Sequence, residues 1–435
     1  MRRFIMLLVA ASTILLQACS EKTGPVVPPE DGTYDRVAVI YAAGFNSLSS
    51  DIRRNISDAT GSTPNLSLPA GDSKDVLIVV SHNSVTDANF STMTSPYIVR
   101  LTHDFMGRPV ADTLRTLSSD MSLMDKDSMN EILGWIKSSF PARHYGLVLS
   151  SHGTGWLPQG YYADPSRFEK NSISALSLGS PSSSIPEGAS PVSESLDELR
   201  NSPKVKSFGE ERRRTDGTNY CFEMDIRDLA VAIPMHLDYI VFDACLMGGI
   251  EVAYELRNVT DYLCFCPTEV LSGGFDYSNL VGRLIGSEET DLVEVCRDFY
   301  WKYAESSTPF VTITCMKTSE LENLASICKD MFAKYRMSIN KLSSWSVQGY
   351  YRANRHYFYD FLDILEKAGA NEQELISLRN ILQESIPFRA FTTSFIEIKI
   401  ERSCGLSMYL PSQGSAYLDN YYRNLAWNKA SGLVE

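Results

Sequence analysis

Residues 239–249 read Tyr-Ile-Val-Phe-Asp-Ala-Cys-Leu-Met-Gly-Gly, and this stretch decides the fold class expected of the chain. Its first four residues predict a short buried strand, which ends at Asp243 and Cys245. The two glycines that follow allow a tight turn into a helix. A thiol near a helix N-terminus and a histidine has a lowered pKa, so Cys245 is a candidate nucleophile.

A second strand end supplies a histidine. Residues 144–156 read His-Tyr-Gly-Leu-Val-Leu-Ser-Ser-His-Gly-Thr-Gly-Trp, an apolar strand that runs into His152 and Gly153. Because the carboxyl ends of parallel strands form the edge that holds sites in open α/β sheets, His152 and Cys245 form a possible catalytic pair. The backbone N–H groups of Gly153 and Cys245 could bind an oxyanion. From the residues alone, a buried structural cysteine and a capping or core histidine are the alternatives.

Short apolar strands alternate with amphipathic helices along most of the chain. Strands are predicted at 37–41, 76–81, 145–150, 239–242, 262–266 and 310–315, a hairpin at 98–117, and helices at 48–57, 128–140, 249–256, 321–335 and 372–382. This alternation predicts an α/β fold with a mainly parallel sheet covered on both faces. The helices after about residue 317 either complete that fold or form a small helical subdomain.

Composition excludes several classes of protein. The chain has 435 residues, of which 44% are hydrophobic and 21% charged, and this ordinary globular composition excludes a wholly disordered, collagen-like or coiled-coil chain. The net charge of −13 argues against a general nucleic-acid binder, which needs a basic surface. A single apolar run approaches membrane length, so a multi-spanning membrane protein is excluded.

That apolar run lies at the amino terminus and has the features of a bacterial lipoprotein signal. Two arginines precede residues 4–16, and the run ends in Leu-Gln-Ala-Cys at Cys19, which resembles a lipobox. We expect residues 1–18 to be removed, Cys19 to be acylated, and residues 19–34 to form a Pro-rich tether. The protein would then be exported and anchored to a bacterial membrane, with the outer membrane or the cell surface as the expected place. An ordinary secretory signal with a coincidental cysteine is the alternative.

One segment interrupts the main domain, which is expected to span residues 35–435. Residues 158–218 are rich in Ser, Pro and charged residues, and they separate the strand of His152 from that of Cys245. This composition predicts a long surface insertion that is partly disordered.

The remaining cysteines do not form an obvious site. Cys264 and Cys266 lie two residues apart on one predicted strand, so their thiols are on the same face. No histidine cluster or second cysteine pair accompanies them, so a zinc site is not expected. Buried thiols are the simplest interpretation of most other cysteines.

The two strand-end motifs resemble those of the clostripain family of cysteine peptidases, which is grouped with caspases, gingipains and legumains. The strongest matches are Ser-His-Gly-x-Gly-Trp at 151–156 and Asp-Ala-Cys-Leu-Met-Gly-x-x-Glu-Val-Ala-Tyr-Glu-Leu at 243–256. Weaker similarity appears at 268–277 and 404–411. The resemblance extends over roughly residues 35–411.

This resemblance implies a caspase-like α/β/α sandwich with a helical C-terminal part, and a cysteine endopeptidase that cleaves proteins or peptides after Arg or Lys. His152 would be the proton shuttle and Cys245 the nucleophile. Asp243 would lie in the pocket for the basic side chain, since a partly desolvated carboxylate favours a guanidinium or an ammonium group. Glu269 is a second candidate for that pocket. The alternatives are that Asp243 caps the strand or the following helix, and that Glu269 is a solvated surface acid.

Members of the family are cut in the insertion between the histidine and the cysteine, sometimes by themselves. Arg212, Arg213 and Arg214 are the candidate processing site here, and a charge run without function is the alternative. Clostripain itself uses calcium, but no EF-hand-like spacing occurs in this sequence. We therefore expect no metal or other cofactor.

Two other functions are compatible with the same residues. A non-catalytic surface lipoprotein could keep the fold for binding or assembly, although the presence of both His152 and Cys245 argues against it. A cysteine transpeptidase or ligase would resolve the same thioester with an amine, and no sequence feature separates it from a hydrolase.

Overall fold

The computed structural model describes residues 32–61, 67–89, 91–168, 189–191, 205–206, 211–215, 218–286, 289–352 and 354–435. The predicted signal, Cys19 and most of the tether lie outside these residues. In the described ranges no helix is long and apolar enough to cross a membrane.

The strands are β1 (Tyr34–Gly44), β2 (Asp75–Asn83), β3 (Tyr97–His103), β4 (Pro109–Thr116), β5 (Ala142–Ser150), β6 (Ala189–Pro191), β7 (Val205–Lys206), β8 (Glu211–Thr215), β9 (Thr218–Phe222), β10 (Leu237–Asp243), β11 (Thr260–Phe265), β12 (Val270–Leu271), β13 (Thr312–Lys317), β14 (Tyr359–Asp360), β15 (Phe388–Phe391), β16 (Ser394–Phe395), β17 (Ile398–Lys399) and β18 (Ser407–Met408). The helices are α1 (Ser49–Thr60), α2 (Lys126–Ser139), α3 (Ile226–Ala232), α4 (Ile250–Leu256), α5 (Tyr277–Ile285), α6 (Leu292–Ala304), α7 (Leu321–Ile339), α8 (Phe361–Lys367), α9 (Glu372–Ser385), α10 (Ala416–Tyr422) and α11 (Ala426–Ser431).

A central sheet organises the molecule. In the described residues its strand order is β15-β13-β11-β10-β5-β1-β2-β3-β4. The five central strands, β11 to β2 in this order, are parallel, whereas the two strands at each edge run antiparallel. The predicted α/β fold with a mainly parallel sheet is therefore confirmed, and the antiparallel pair β3–β4 is the predicted hairpin.

The central strands form because their side chains are apolar on both faces. Residues 37–43 of β1 and 145–149 of β5 are almost entirely apolar and buried. Such near-continuous apolar runs are typical of parallel strands that helices cover on both sides. Helices α1, α5 and α6 form one contacting group, and α2, α3, α4 and α11 form another.

The helices after residue 317 complete this fold. Helix α11 packs on both α4 and α7, and α7 contacts α8 and α9. The buried ring of Trp427 in α11 lies 5.5 Å from that of Tyr254 and 6.2 Å from that of Phe332, measured between centroids. The C-terminal helices therefore share the core of the main domain, and the alternative of a separate helical subdomain is wrong.

The described part of the insertion at 158–218 contains short strands. Strands β6, β9 and β8 form an antiparallel three-stranded sheet. Glu211 in β8 is fully buried and contacts His82 Nδ1 at 2.7 Å and the Ser122 hydroxyl. Thr215 pairs with Thr218, and the two residues between them are Asp-Gly, a pair typical of tight hairpin turns. The described part of the insertion thus includes a hairpin, and the partly disordered insertion stays a prediction.

We predict opposite stability effects for two glycine-to-alanine substitutions. A Cβ at Gly146 in β5 would lie 1.9 Å from the ring of the buried Tyr239 on β10, whereas a Cβ at Gly134 in α2 would meet no atom within 4 Å. Gly146→Ala should lower the free energy of unfolding by about 2 kcal/mol, because the two central strands would have to separate. Gly134→Ala should raise it by about 0.5–1 kcal/mol, because alanine favours the helix. Urea unfolding of both variants measures this, and equal effects would contradict the described β5–β10 packing.

Candidate active site

The register of two neighbouring strands brings the candidate residues to one edge of the sheet. Strands β5 and β10 are parallel, and Ser150 pairs directly with Asp243. His152 and Cys245 each lie two residues beyond this pair. Both residues are buried, and His152 retains 8% exposure. The structure therefore brings together the two strand ends in the way that the sequence predicts.

Backbone groups surround the sulfur of Cys245. The N–H of Val270 in β12 donates to Sγ at 3.0 Å, and Sγ lies 3.6 Å from the carbonyl oxygen of the same residue. The backbone of Val270 therefore offers the sulfur both a donor and an acceptor. Strand β12 thus lies directly against the candidate nucleophile.

The turn after Cys245 has an unusual backbone conformation. Leu246 has a φ of 61°, in the left-handed region that a leucine rarely adopts. Its N–H donates to the carbonyl of Thr268 at 2.9 Å, and the N–H of Gly248 donates to that of Cys266 at 2.8 Å. Strain of this kind costs about 1–3 kcal/mol and persists where the surrounding structure enforces it, often at active sites.

A third strand end contributes a residue that the sequence reasoning missed. Ser47 follows β1, and its hydroxyl lies 3.1 Å from His152 Nε2, within hydrogen-bond distance. The Asn46 amide group donates to the carbonyl of Ala43 at 2.9 Å and to the Ser151 hydroxyl at 3.3 Å, which fixes this loop beside that of His152. The strand-end argument applied to β1 would have found Ser47.

Asp243 is fully buried at the base of the site. Its Oδ2 accepts hydrogen bonds from the Ser150 hydroxyl at 3.0 Å and from the Tyr277 hydroxyl at 2.8 Å. Burial, and then the negative charge of Asp243, raise the pKa of the Cys266 thiol well above its ordinary value. The Asp243 carboxylate therefore disfavours ionisation of a neighbouring thiol inside the protein.

Glu269 is buried rather than solvated, which excludes the alternative of a surface acid. Its Oε2 accepts a hydrogen bond from Arg352 Nη1 at 2.8 Å, and Arg352 Nε also donates to Glu397 at 2.8 Å. Burial raises the pKa of Glu269, and the Arg352 guanidinium opposes that rise. The pKa of Tyr162 is raised by burial, then by the charges of Glu269 and Cys245, so this tyrosine lies near both groups.

Another buried acid supports the turn that carries Cys245. Glu251 lies in the first turn of α4, and its Oε1 accepts from the N–H of Tyr409 at 2.8 Å and from the Tyr422 hydroxyl at 2.7 Å. Burial raises its pKa to about 7. Glu251 thus ties the segment after β18 to the helix that follows the candidate nucleophile.

The other described cysteines lie in the core as thiols. Cys264, Cys296 and Cys315 are buried with their sulfur atoms within 4.8 Å of one another. In the part of the chain that the structure describes, this is the one group of three histidine, cysteine or acidic side chains close enough to share a metal ion. A structural zinc ion usually has four such ligands, so the group does not match a complete zinc site. Cys266, the partner considered from the sequence, is not part of it.

The three candidate processing residues lie in one strand of the insertion. Arg212, Arg213 and Arg214 belong to β8, where they pair with Cys221, Tyr220 and Asn219 of β9. Their backbone is therefore part of a strand, and their role as a processing site stays a prediction.

The geometry agrees with a comparison with known protein families. The model of the clostripain family of peptidases matches residues 213–431, half of the chain, including Asp243 and Cys245. The chain belongs to the clostripain family. No match was found among curated proteins.

Solved structures of clostripain-family proteases extend the similarity to nearly the whole chain. An inactive zymogen C11 protease from Parabacteroides distasonis is 25% identical, with a TM-score of 0.70, over 93% of this chain and 99% of that one. A secreted C11 cysteine protease from Bacteroides thetaiotaomicron, iotapain, is 25% identical, with a TM-score of 0.69, over 92% and 99%. The predicted caspase-like architecture is thereby confirmed.

We predict that Glu251 makes stability depend on pH. Its pKa in the folded protein, about 7, lies above the ordinary 4.5, so the folded state binds more protons than the unfolded state between these values. The free energy of unfolding should therefore fall by about 3 kcal/mol as pH rises from 4.5 to 7, and stay low above 7.

Glu251→Gln removes this titration and keeps the acceptor oxygen. Measured by urea unfolding, the free energies of unfolding of the variant and the wild type should be nearly equal at pH 5. At pH 8 the free energy of unfolding should be higher for the variant by about 3 kcal/mol. Glu384→Gln, at an exposed position in α9, is the matched control and should follow the wild type. Parallel pH profiles for wild type and Glu251→Gln would show that Glu251 is not the titrating group.

Proposed function

We propose that this chain is an exported, lipid-anchored cysteine endopeptidase that cleaves peptide bonds after Arg or Lys through His152 and Cys245. The observation that carries the proposal is the pairing of Ser150 with Asp243. Because of this pairing, the histidine and the cysteine each lie two residues beyond the ends of two adjacent strands. Membership in a family of cysteine peptidases supports the reaction type. The lipobox at Cys19 supports the anchor, and a similar protease is described as secreted.

The chemistry follows from these groups. The Cys245 thiolate attacks the carbonyl carbon of the scissile bond, and a tetrahedral oxyanion forms. When the intermediate collapses, the carbon–nitrogen bond breaks and His152 gives its proton to the leaving amine. Water then attacks the thioester, His152 takes its proton, and a carboxylate leaves. The N–H groups of Gly153 and Cys245 would stabilise the oxyanions, and the Ser47 hydroxyl would hold the imidazole in place.

Asp243 is the stronger candidate for recognition of the basic side chain. Glu269 already faces the guanidinium of Arg352 within the protein. Asp243 instead accepts from the hydroxyls of Ser150 and Tyr277, and Ser150 lies two residues before His152. A substrate Arg or Lys would donate a charge-assisted hydrogen bond to this carboxylate, and such a bond is about twice as strong as a neutral one. No metal or other cofactor is assigned to the reaction.

Hydrolysis of fluorogenic peptides with Arg, Lys, Asp or Leu at the cleaved position tests the proposal. We expect turnover of the Arg or Lys peptides alone, and its complete loss in Cys245→Ala and His152→Ala. If no peptide is cleaved, even after brief trypsin treatment followed by trypsin inhibition, the chain is a non-catalytic lipoprotein. Products that carry an added amine would instead identify a transpeptidase.

Asp243→Asn should separate recognition from chemistry. We expect kcat/KM for the Arg peptide to fall by about 100-fold to 1,000-fold, because removing one partner of a buried charge pair costs about 2–5 kcal/mol. Alkylation of Cys245 by iodoacetamide should change little. Tyr277→Phe, which removes a hydroxyl and keeps the carboxylate, is the matched control and should lower kcat/KM by less than about tenfold. Equal losses in the two variants would exclude Asp243 as the recognition group.

A further inference from the structure

The segment that leads into β12 contacts the turn of Cys245 at two points. The carbonyl of Thr268 accepts a hydrogen bond from the N–H of Leu246 at 2.9 Å. The N–H of Val270 donates to Cys245 Sγ at 3.0 Å. Glu269 lies between these two contact points. Any force on its side chain therefore acts on the backbone that faces the candidate nucleophile.

The Glu269 carboxylate lies inside the protein and is paired with a guanidinium. Its side chain is 4% exposed and that of Arg352 is 1% exposed, and Arg352 Nη1 donates to Glu269 Oε2 at 2.8 Å. A buried carboxylate stays ionised only where a positive charge and hydrogen bonds replace the lost water. Burial, and then the charges of Glu269 and Cys245, raise the pKa of Tyr162, so one side chain lies close to both groups.

A second carboxylate holds Arg352 itself. Arg352 Nε donates to Glu397 at 2.8 Å, and the Glu397 side chain is 54% exposed. Glu397 lies between β16 and β17, which form a two-stranded sheet. The guanidinium therefore connects this surface hairpin to the segment of Glu269. The planar fork of an arginine allows it to hold two carboxylates at once.

We infer that Arg352 is a positioning residue of the active site. By neutralising Glu269, it holds residues 268–270 in place and keeps the Val270 backbone against the sulfur of Cys245. Without the guanidinium, the buried carboxylate would move toward water and carry the neighbouring backbone with it. Arg352 acts through Glu269 and not on the substrate. This role rests on the proposed function, because it takes Cys245 as the nucleophile.

Alkylation of Cys245 by iodoacetamide at pH 7, after brief trypsin treatment and trypsin inhibition, tests this role. Arg352→Gln should slow the reaction at least about tenfold, because an uncompensated negative charge near the sulfur disfavours the thiolate. The double variant Arg352→Gln with Glu269→Gln removes both charges, so its rate should return to within about threefold of the wild type. Fragment masses should show that trypsin cuts all variants at the same positions.

Arg36→Gln is the matched control. Arg36 forms a partly buried ion pair with Asp75, near the amino-terminal ends of β1 and β2 and away from the sheet edge that holds the site. This variant should be less stable in urea and should alkylate like the wild type. For the Arg peptide, Arg352→Gln should lower kcat at least about tenfold and change KM by less than about threefold, because Arg352 does not bind the substrate.

The outcomes separate this role from the proposed function. Wild-type rates in Arg352→Gln, an equal loss in Arg36→Gln, or no recovery in the double variant overturns the role, while the peptidase function stands if the wild type hydrolyses the Arg peptide. If circular dichroism shows that Arg352→Gln does not fold, the double variant must fold and alkylate within about threefold of the wild type, or the role is overturned. A wild-type protein that hydrolyses no peptide overturns the proposed function and this role with it.

Discussion

The pairing of β5 with β10 is the constraint on which the rest of the site depends. Parallel strands fix their neighbours residue by residue, so the Ser150–Asp243 pair determines where the two following loops start. A shift of one residue would turn each side chain to the opposite face of the sheet. His152 and Cys245 lie at the same edge of the sheet because the two strands keep this register.

The loops beyond that edge are held by buried polar groups. Val270 contacts the sulfur of Cys245 through its backbone. A neighbouring segment of the same chain keeps Leu246 in a left-handed conformation. Glu251 joins α4 to the C-terminal segment from inside the core. Together these contacts hold the turn after Cys245 in a conformation that the backbone alone disfavours.

Much of this was predictable from the sequence because the decisive signals are local. An apolar run with a polar end identified the strands of His152 and Cys245. The family resemblance supplied the architecture, and it also supplied the roles of these residues, which remain proposals. Arg352 and the β7–β12 pair could not be predicted, because both depend on contacts between segments more than sixty residues apart. The hairpin that contains Arg213 was predictable from the Asp-Gly pair between its two strands.

The most direct test of the account is the rate of alkylation of each cysteine by iodoacetamide between pH 5 and 9, read by mass spectrometry. After brief trypsin treatment and trypsin inhibition, Cys245 should react at pH 7 at least about 100-fold faster than the buried Cys328, whose pKa burial raises well above its ordinary value. His152→Ala should lose this advantage below pH 8. Equal rates at Cys245 and Cys328, or rates at Cys245 that do not depend on His152, would contradict a catalytic pair at this sheet edge.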